Sequence, residues 1–325
     1  MDPAGIFILE PTSGLHLEYL AEGAANIIYK PLNPPESPTT EADLRFIPDG
    51  STQTPPPTDL QPLMIDPRLD GKLIRLRKDL STVLPVRTSW DHFQNVVSPL
   101  FLDSQLVSQT LFKISPLVIK DLNVELRQME SHGQRPSKRN GTYLAEDESY
   151  GSLVSDMSSN ESSVSLEFKP KWLVQSPSAP SESKRCRTCA LQAMRLAARK
   201  DDHGAEDGRS GFCPLRLASS DRPQVVVAVD QILASPKLLA FRDERLKELI
   251  VDWILNASLL QRLKQLQVEL DPVGTLEADL ATQDILTAMT LRDCTLFLRV
   301  RACLFLICQG LGLTPVDADS AFWGK

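Results

Sequence analysis

The stretch 31–62 limits the fold more than any other: Pro, Thr, Ser and Asp dominate it, and its apolar side chains are too few to form a core face. Such a segment cannot offset the entropy of its own ordering, so it is expected to be a disordered insertion. Any sheet must then be assembled from strands on either side of it. Upstream, Ile6–Leu9 is a short apolar run and Leu15–Leu20 alternates as a strand does. Ile27-Ile28-Tyr29 resumes strand character after the small-residue turn Glu22-Gly23-Ala24-Ala25-Asn26. Downstream, Leu69–Lys78 restarts the sheet, and a period of two puts Leu73, Arg75 and Arg77 on one face.

From Ser89 to Met129 the spacing turns helical, including Phe112, Leu117, Val118, Leu122 and Leu126, which predicts helices crossing over the sheet. Gly151–Met157 and Val164–Phe168 read as two more strands around the polar turn Ser158–Ser163, and 173–183 as a Ser/Pro linker. Asp243–Asn256 is the last well-formed helix expected, with Leu246, Leu249, Ile250, Trp253 and Ile254 on one stripe. Thr295–Val300 is a strand, preceded directly by Thr290-Leu291-Arg292-Asp293-Cys294.

At 325 residues the chain is long enough for one bilobal unit or two domains. No stretch reaches the roughly 20 apolar residues of a membrane helix. Ala302–Cys308 comes nearest, and Arg299 and Arg301 interrupt its N-terminal side. Six cysteines and no basic-then-apolar leader lead us to expect a reducing setting: intracellular, cytoplasmic and/or nuclear. An excess of 42 acidic over 35 basic residues argues against broad nucleic-acid binding. We expect no membrane partner and a monomer.

Against that acidic background, residues 169–200 hold eight cations (Lys169, Lys171, Lys184, Arg185, Arg187, Arg195, Arg199, Lys200) and one acid, Glu182. Clustered cations repel unless an anion or solvent compensates them, so the cluster reads as a polyphosphate site; the plain alternative is a solvated charged face. The turn at Gly23 lets backbone N–H groups approach phosphate oxygens, although taken alone it reads first as an ordinary hairpin turn. What gives it weight is order along the chain. A strand with a cation (Arg75), a strand with an acidic end (Asp156) and a late Asp beside a strand (Asp293) follow the order of parts in a kinase-type ATP site.

Gly23-Ala24-Ala25-Asn26, Gly71-Lys72-Leu73-Ile74-Arg75, Glu167-Phe168-Lys169-Pro170-Lys171-Trp172, Cys213-Pro214-Leu215 and Met289-Thr290-Leu291-Arg292-Asp293-Cys294 together resemble the inositol-pentakisphosphate 2-kinase family in a fungal-type version. The matches run in the family's order from about residue 6 to residue 300. The resemblance implies an α+β, two-lobed kinase-like fold: an N-lobe (1–157) with an antiparallel sheet and helices, and a C-lobe (158–325) with an inositide-binding region. It also implies transfer of the ATP γ-phosphate, with Mg²⁺, to the 2-hydroxyl of inositol 1,3,4,5,6-pentakisphosphate, giving inositol hexakisphosphate.

Under that resemblance Gly23, Ala24, Ala25 and Asn26 turn over the ATP phosphates and Arg75 reaches them from the sheet. Asp156 and Met157 flank the adenine, and Glu167 lies near the ribose. Lys169 and Lys171, alternating along a strand, face the inositide together with Arg187 and Arg195 on a helix, and Arg135 and Arg139 are further inositide candidates. Asp293 orients or deprotonates the 2-hydroxyl and touches Mg²⁺.

Departures set further expectations. Relatives continue past this strand into an Asp-x-Asp-x-Lys segment. Here Val300 leads into Arg301–Leu313, and Asp317 and Asp319 do not rebuild that spacing, so 301–325 reads as atypical and the C-lobe as incomplete. The alternative function is therefore a catalytically impaired inositol-polyphosphate-binding protein. Many relatives have a His-Gln pair where Leu191-Gln192 stands, and paired Asn where Ser235–Leu239 stands. Cys186, Cys189, His203 and Cys213 are of the types zinc prefers and could pin the basic helix, the alternative being ordinary reduced thiols. Cys294, Cys303 and Cys308 read as buried small residues.

Overall fold

A computed structural model describes residues 6–10, 15–32, 66–160, 163–199, 211–235, 238, 243–301 and 319–323. The chain divides into two compact units. The first holds the chain up to Asp91 together with Ser108–Asp156, and the second holds His92–Val107 and everything from Met157. His92–Val107, which the sequence placed in the N-lobe, thus packs with the second unit.

The first unit is a six-stranded sheet in the order β1-β5-β6-β4-β3-β2, made of β1 (Ile8–Leu9), β2 (His16–Glu22), β3 (Asn26–Leu32), β4 (Lys72–Arg77), β5 (Gln109–Ile114) and β6 (Tyr150–Ser155). The expected antiparallel sheet is corrected at one edge, where β1 runs parallel to β5. Two residues are all that β1 contributes, since Leu9 is buried while Glu10 points to solvent. Residues 33–65, which hold most of the expected insertion, lie outside the described residues; β3 runs through Leu32 to their edge. Helix α1 (Val86–His92) ends this unit's first stretch.

Phe112, expected on a helix, lies on β5, and its helical neighbours in sequence belong to α2 (Pro116–Ser131). Ser115 begins α2 by accepting from Leu117 N, and Pro116 fits the first helical position because its missing N–H is not needed there. Ile119, Leu122 and Leu126 of α2 pack with Ile27, Tyr29, Ile74, Leu76, Phe112 and Leu153 of the strands to form the first core. Arg77, expected on one face with Arg75, is buried and bonded to Glu148 at 3.0 Å and Asp147 at 3.2 Å.

Gly151 lies directly opposite Phe112 in the β5–β6 register. A Cβ there would collide with the Phe112 ring and come within 2.8 Å of Leu76 Cδ2. Gly151→Ala is therefore expected to destabilise by about 1–3 kcal/mol through overpacking, lowering the melting temperature by several degrees. Thermal unfolding followed by circular dichroism checks this, and an unchanged midpoint would show that the Phe112 ring can step aside.

The second unit has a three-stranded antiparallel sheet, β7 (Ser163–Phe168), β8 (Thr295–Arg301) and β9 (Asp319–Trp323), in that order. Its helices are α3 (Arg187–Arg199), α4 (Pro214–Leu217), α5 (Arg222–Leu233), α6 (Glu244–Asn256), α7 (Ser258–Glu269) and α8 (Gln283–Asp293). The expectation that helices end at Asn256 is corrected by α7 and α8. Leu259, Leu260, Leu263 and Leu266 give α7 a buried stripe at helical spacing. Core residues of α5, α6 and α7 join Leu166, Phe168, Leu296 and Leu298 of the sheet. The stretch 173–183 is more than a linker, because Leu173 is buried in this core and Ser178 lies against Gly274. In the atypical C-terminal part Asp319–Trp323 adds β9, while Cys303, Cys308 and Asp317 lie outside the described residues. No described helix is long and apolar enough to cross a membrane.

Candidate functional site

In the second unit, sequence-adjacent residues at the end of α8 point opposite ways. Arg292 turns inward, 2% exposed, onto the fully buried Asp271 at 2.7 Å, and its guanidinium lies 3.8 Å from the centre of the Trp172 ring. Asp293 turns outward, its side chain 38% exposed. Cys294 is again buried, and burial pushes its thiol well above the ordinary range, so it is a packing residue. The Arg-Asp-Cys motif is thus two anchors with a carboxylate held between them.

That carboxylate meets both motif lysines. Lys171 Nζ donates to Asp293 Oδ1 at 2.7 Å, and Lys169 Nζ donates to the same oxygen at 3.1 Å and to the Asp293 carbonyl at 3.0 Å. Lys169 therefore also caps the end of α8, where a carbonyl lacks a helical partner and a cation is favoured. The expected strand through both lysines is corrected: β7 stops at Phe168, because Pro170 offers no N–H to continue a ladder. Lys171 has a φ of 59°, the left-handed region, and is the one non-glycine residue there among those described. A lysine in that region costs on the order of 1–3 kcal/mol unless its surroundings hold it. Buried Gln267 holds it, donating to the Lys171 carbonyl at 2.8 Å while accepting from Leu173 N at 2.9 Å. The bend brings both ammonium groups to one oxygen without strand alternation.

Arg187 opens α3 with its guanidinium 5.0 Å from the Trp172 ring, the same ring that Arg292 covers. Trp172 is 8% exposed and links the basic helix to the Asp293 turn. Arg195 is exposed further along α3, and Glu167 is exposed on β7 opposite Phe297. Leu191 and Gln192 also lie on α3, and of Ser235–Leu239 only Ser235 and Leu238 are described.

At the foot of α3, the sulfurs of Cys186, Cys189 and Cys213 all lie within 4.8 Å of one another, with Cys186 and Cys213 3.8 Å apart. Four ligands at a Zn–S length of about 2.3 Å imply an S···S edge of about 3.8 Å, so the three thiols fit one face of a zinc tetrahedron. Burial and the neighbouring sulfurs push the Cys189 thiol up to about 12. Burial also raises Cys213, but hydrogen bonds, chiefly from the Arg216 N–H, outweigh it and leave that thiol lowered. His203, the expected fourth ligand, lies outside the described residues.

In the first unit the small-residue turn joins β2 to β3, closed by Gly23 N donating to Asn26 O at 2.9 Å. Among the described residues no acceptor meets the N–H of Ala24 or Ala25. Arg75 on β4 lies beside this turn: with the Asn26 amide oxygen facing it, Arg75 Nη2 donates at 2.9 Å and Nε at 3.2 Å. The guanidinium is packed round by protein, though solvent still reaches part of it, and this desolvation lowers its pKa to about 10. It is therefore charged at neutral pH. Asp156 follows β6 and donates its N–H to Gly71 O at 2.8 Å; Met157 begins the longer stretch of the second unit.

Arg135, expected to hold the inositide, is instead buried in an internal cluster. It donates to Glu22 from Nε and Nη2, both at 3.0 Å, to Glu130 at 3.1 Å and to Thr142 O at 2.8 Å. Lys78, which the sequence reading did not single out, is fully buried beside it, bonded to Glu22 and, at 3.0 Å, to Gly23 O. Burial pushes the Glu22 carboxyl up, but the hydrogen bonds from Arg135 and Lys78 outweigh it and leave it below the usual value. Arg139 is half-buried in the short 3-10 turn Ser137–Arg139. The Leu-Arg-Lys ending of the β4 segment carried the only sequence signal for Lys78, a cation at the close of an otherwise buried strand.

An α+β chain whose second unit brings two lysines onto one half-exposed aspartate, and three thiols within reach of one another, belongs to the class of proteins with a lysine-paired carboxylate and a candidate metal site. The chain belongs to the inositol-pentakisphosphate 2-kinase family, whose model matches residues 19–318. It is also 30% identical over 175 residues to an inositol-pentakisphosphate 2-kinase of Yarrowia lipolytica (strain CLIB 122 / E 150), a match that covers 53% of this chain and 51% of that relative. The matched stretch spans about half the length of each. The family match runs past Val300, so it lends no support to a segment lost after β8 or to an impaired protein.

Proposed function

We propose that the protein transfers the γ-phosphate of MgATP to the 2-hydroxyl of inositol 1,3,4,5,6-pentakisphosphate. The observation that carries this reading is the meeting of Lys169 and Lys171 on Asp293 in a chain of this family. Phosphoryl transfer depends on placing the acceptor and neutralising charge, and a carboxylate flanked by two ammonium groups supplies both. Asp293 orients the acceptor hydroxyl and takes its proton, and its oxygens are hard donors of the kind Mg²⁺ accepts alongside ATP phosphates and water. Lys169 and Lys171 exchange Asp293 for substrate phosphates when the inositide binds, and Arg187 adds a cation from α3. Arg195 and Arg139 are assigned to the same substrate. Gly23–Asn26 and Arg75 serve the ATP phosphates, Arg75 through its planar two-pronged guanidinium. Asp156 and Met157 serve the adenine, and Glu167 the ribose.

ADP release, measured with MgATP and with or without the pentakisphosphate, tests this reading. Release that requires the inositide is expected; release at an equal rate without it would overturn the assignment.

Zinc, with Cys186, Cys189 and Cys213 as ligands and His203 as the fourth, is proposed as a structural ion that fixes the start of α3. When bound it contributes a cross-link between α3 and α4 and no catalytic step. Metal analysis of the reduced protein should give about one zinc per chain, and Cys186→Ser should remove it and lower the melting temperature. Background zinc in the parent protein would overturn the site.

A further inference from the structure

One buried residue makes several bonds to the turn assigned to the ATP phosphates. Lys78 follows the last residue of β4, and its backbone N–H donates to Ala25 O at 2.9 Å. Its ammonium reaches back to bond Gly23 O at 3.0 Å and the Glu22 carboxylate. One residue thus binds positions 22, 23 and 25 of a turn that is itself exposed at Gly23 and Ala24. Glu22 is fixed in its turn by Arg135 and by the Tyr19 hydroxyl, which donates to Oε1 at 3.0 Å. Arg135 is anchored by Glu130, which also accepts from Gly141 N and the Tyr143 hydroxyl.

Within this cluster the formal charges balance, Lys78 and Arg135 against Glu22 and Glu130. The Lys78, Glu22 and Arg135 side chains that meet beside the turn are without solvent exposure. Such a cluster costs desolvation and is weak evidence for stability; its use is to fix one geometry. Here the geometry fixed is that of the backbone that carries the Ala24 and Ala25 N–H groups.

We propose that Lys78 is a positioning residue for nucleotide: it clamps the Glu22–Ala25 backbone so that the turn meets the ATP phosphates already formed, and Glu22 holds Lys78 in place for that task. The inference deepens the kinase reading and rests on its assignment of the ATP phosphates to this turn. Without the clamp the turn must be ordered at each binding event, which weakens nucleotide binding and leaves inositide binding alone.

The test is a titration of the full-length chain with a fluorescent MgATP analogue, alongside steady-state kinetics. Lys78→Met should weaken nucleotide binding and raise the KM for ATP at least tenfold, with the KM for inositide changed less than twofold. Lys78→Arg, which keeps a cation, should recover part of the loss. Should Lys78→Met fail to fold with Glu22 left facing a neutral chain, the double variant Glu22→Gln, Lys78→Met removes both charges at constant size and is expected to show the same nucleotide defect. Parent-like nucleotide affinity in a folded single or double variant would overturn the proposal, as would equal losses for nucleotide and inositide. A parent protein that binds nucleotide but does not phosphorylate the pentakisphosphate would refute the kinase reading while leaving the clamp measurable in the binding titration.

Discussion

Replacing Asp293 with alanine should lower the turnover of inositol pentakisphosphate by about 10²–10⁴-fold, the usual contribution of a positioned acid–base group, while both substrates still bind. Affinity for the inositide should hold or rise. In the parent protein the Asp293 carboxylate engages the ammonium groups of both Lys169 and Lys171, and its loss removes that competitor for the substrate phosphates. Lys169 keeps its bond to the carbonyl of residue 293, which does not depend on the side chain, so the end of α8 stays capped. Single-turnover kinetics with calorimetric titration of each ligand separate the two effects. Equal loss of both affinities would mean that Asp293 maintains the fold and does not handle the hydroxyl.

Replacing Lys171 with alanine should raise the KM for inositide about 10- to 100-fold, as expected for one charge-assisted hydrogen bond worth about 1.5–3 kcal/mol. The KM for ATP should change less than twofold. Because Lys171 adopts a left-handed backbone, an alanine there also adds strain. Lys171→Asn separates the two causes, since asparagine tolerates that conformation and lacks the cation. Matching losses for both variants assign the effect to the ammonium group. A mild asparagine variant beside a severe alanine variant would assign it to the backbone and count against phosphate binding.

How much of this was legible in the sequence depended on whether the information was local. The strands either side of Gly23 were read from alternation and β-branched character, whereas the strand before Asp156 is buried along most of its length and was read as a short apolar run bounded by a polar turn. Phe112 was drawn into the helix that follows it by spacing alone. The Ser115-Pro116 start signal, which separates the strand from the helix, was present and was outweighed. The leucine stripe of α7 was equally available at Leu259, Leu263 and Leu266. β1 joining β5 in parallel was not readable, since a parallel pairing depends on a long crossover and leaves no turn signal.

The candidate site divides in the same way. Lys169 and Lys171 stood out in the basic cluster and Asp293 in the order of parts, their roles came from the family resemblance, and the reason given for the lysines sharing a face, strand alternation, does not apply after Pro170. A left-handed Lys171 held by Gln267 does the work instead, and nothing in a local pattern announces a buried glutamine 96 residues away. Arg135 was offered as an inositide contact because its partner Glu22, 113 residues distant in sequence, could not be seen. Lys78 was overlooked for the same reason, its carboxylate partner being 56 residues upstream. Charge partners are set by tertiary structure, and a single sequence shows only the charges.

The most direct test of the central claim is the identity of the product. Full-length protein is incubated with MgATP and inositol 1,3,4,5,6-pentakisphosphate, and the product is read by proton–phosphorus correlation NMR. Phosphate newly attached at carbon 2, giving inositol hexakisphosphate, is the predicted result. ATP consumption with the 2-hydroxyl left unmodified, or phosphate added to an existing phosphate of the ring, would contradict it.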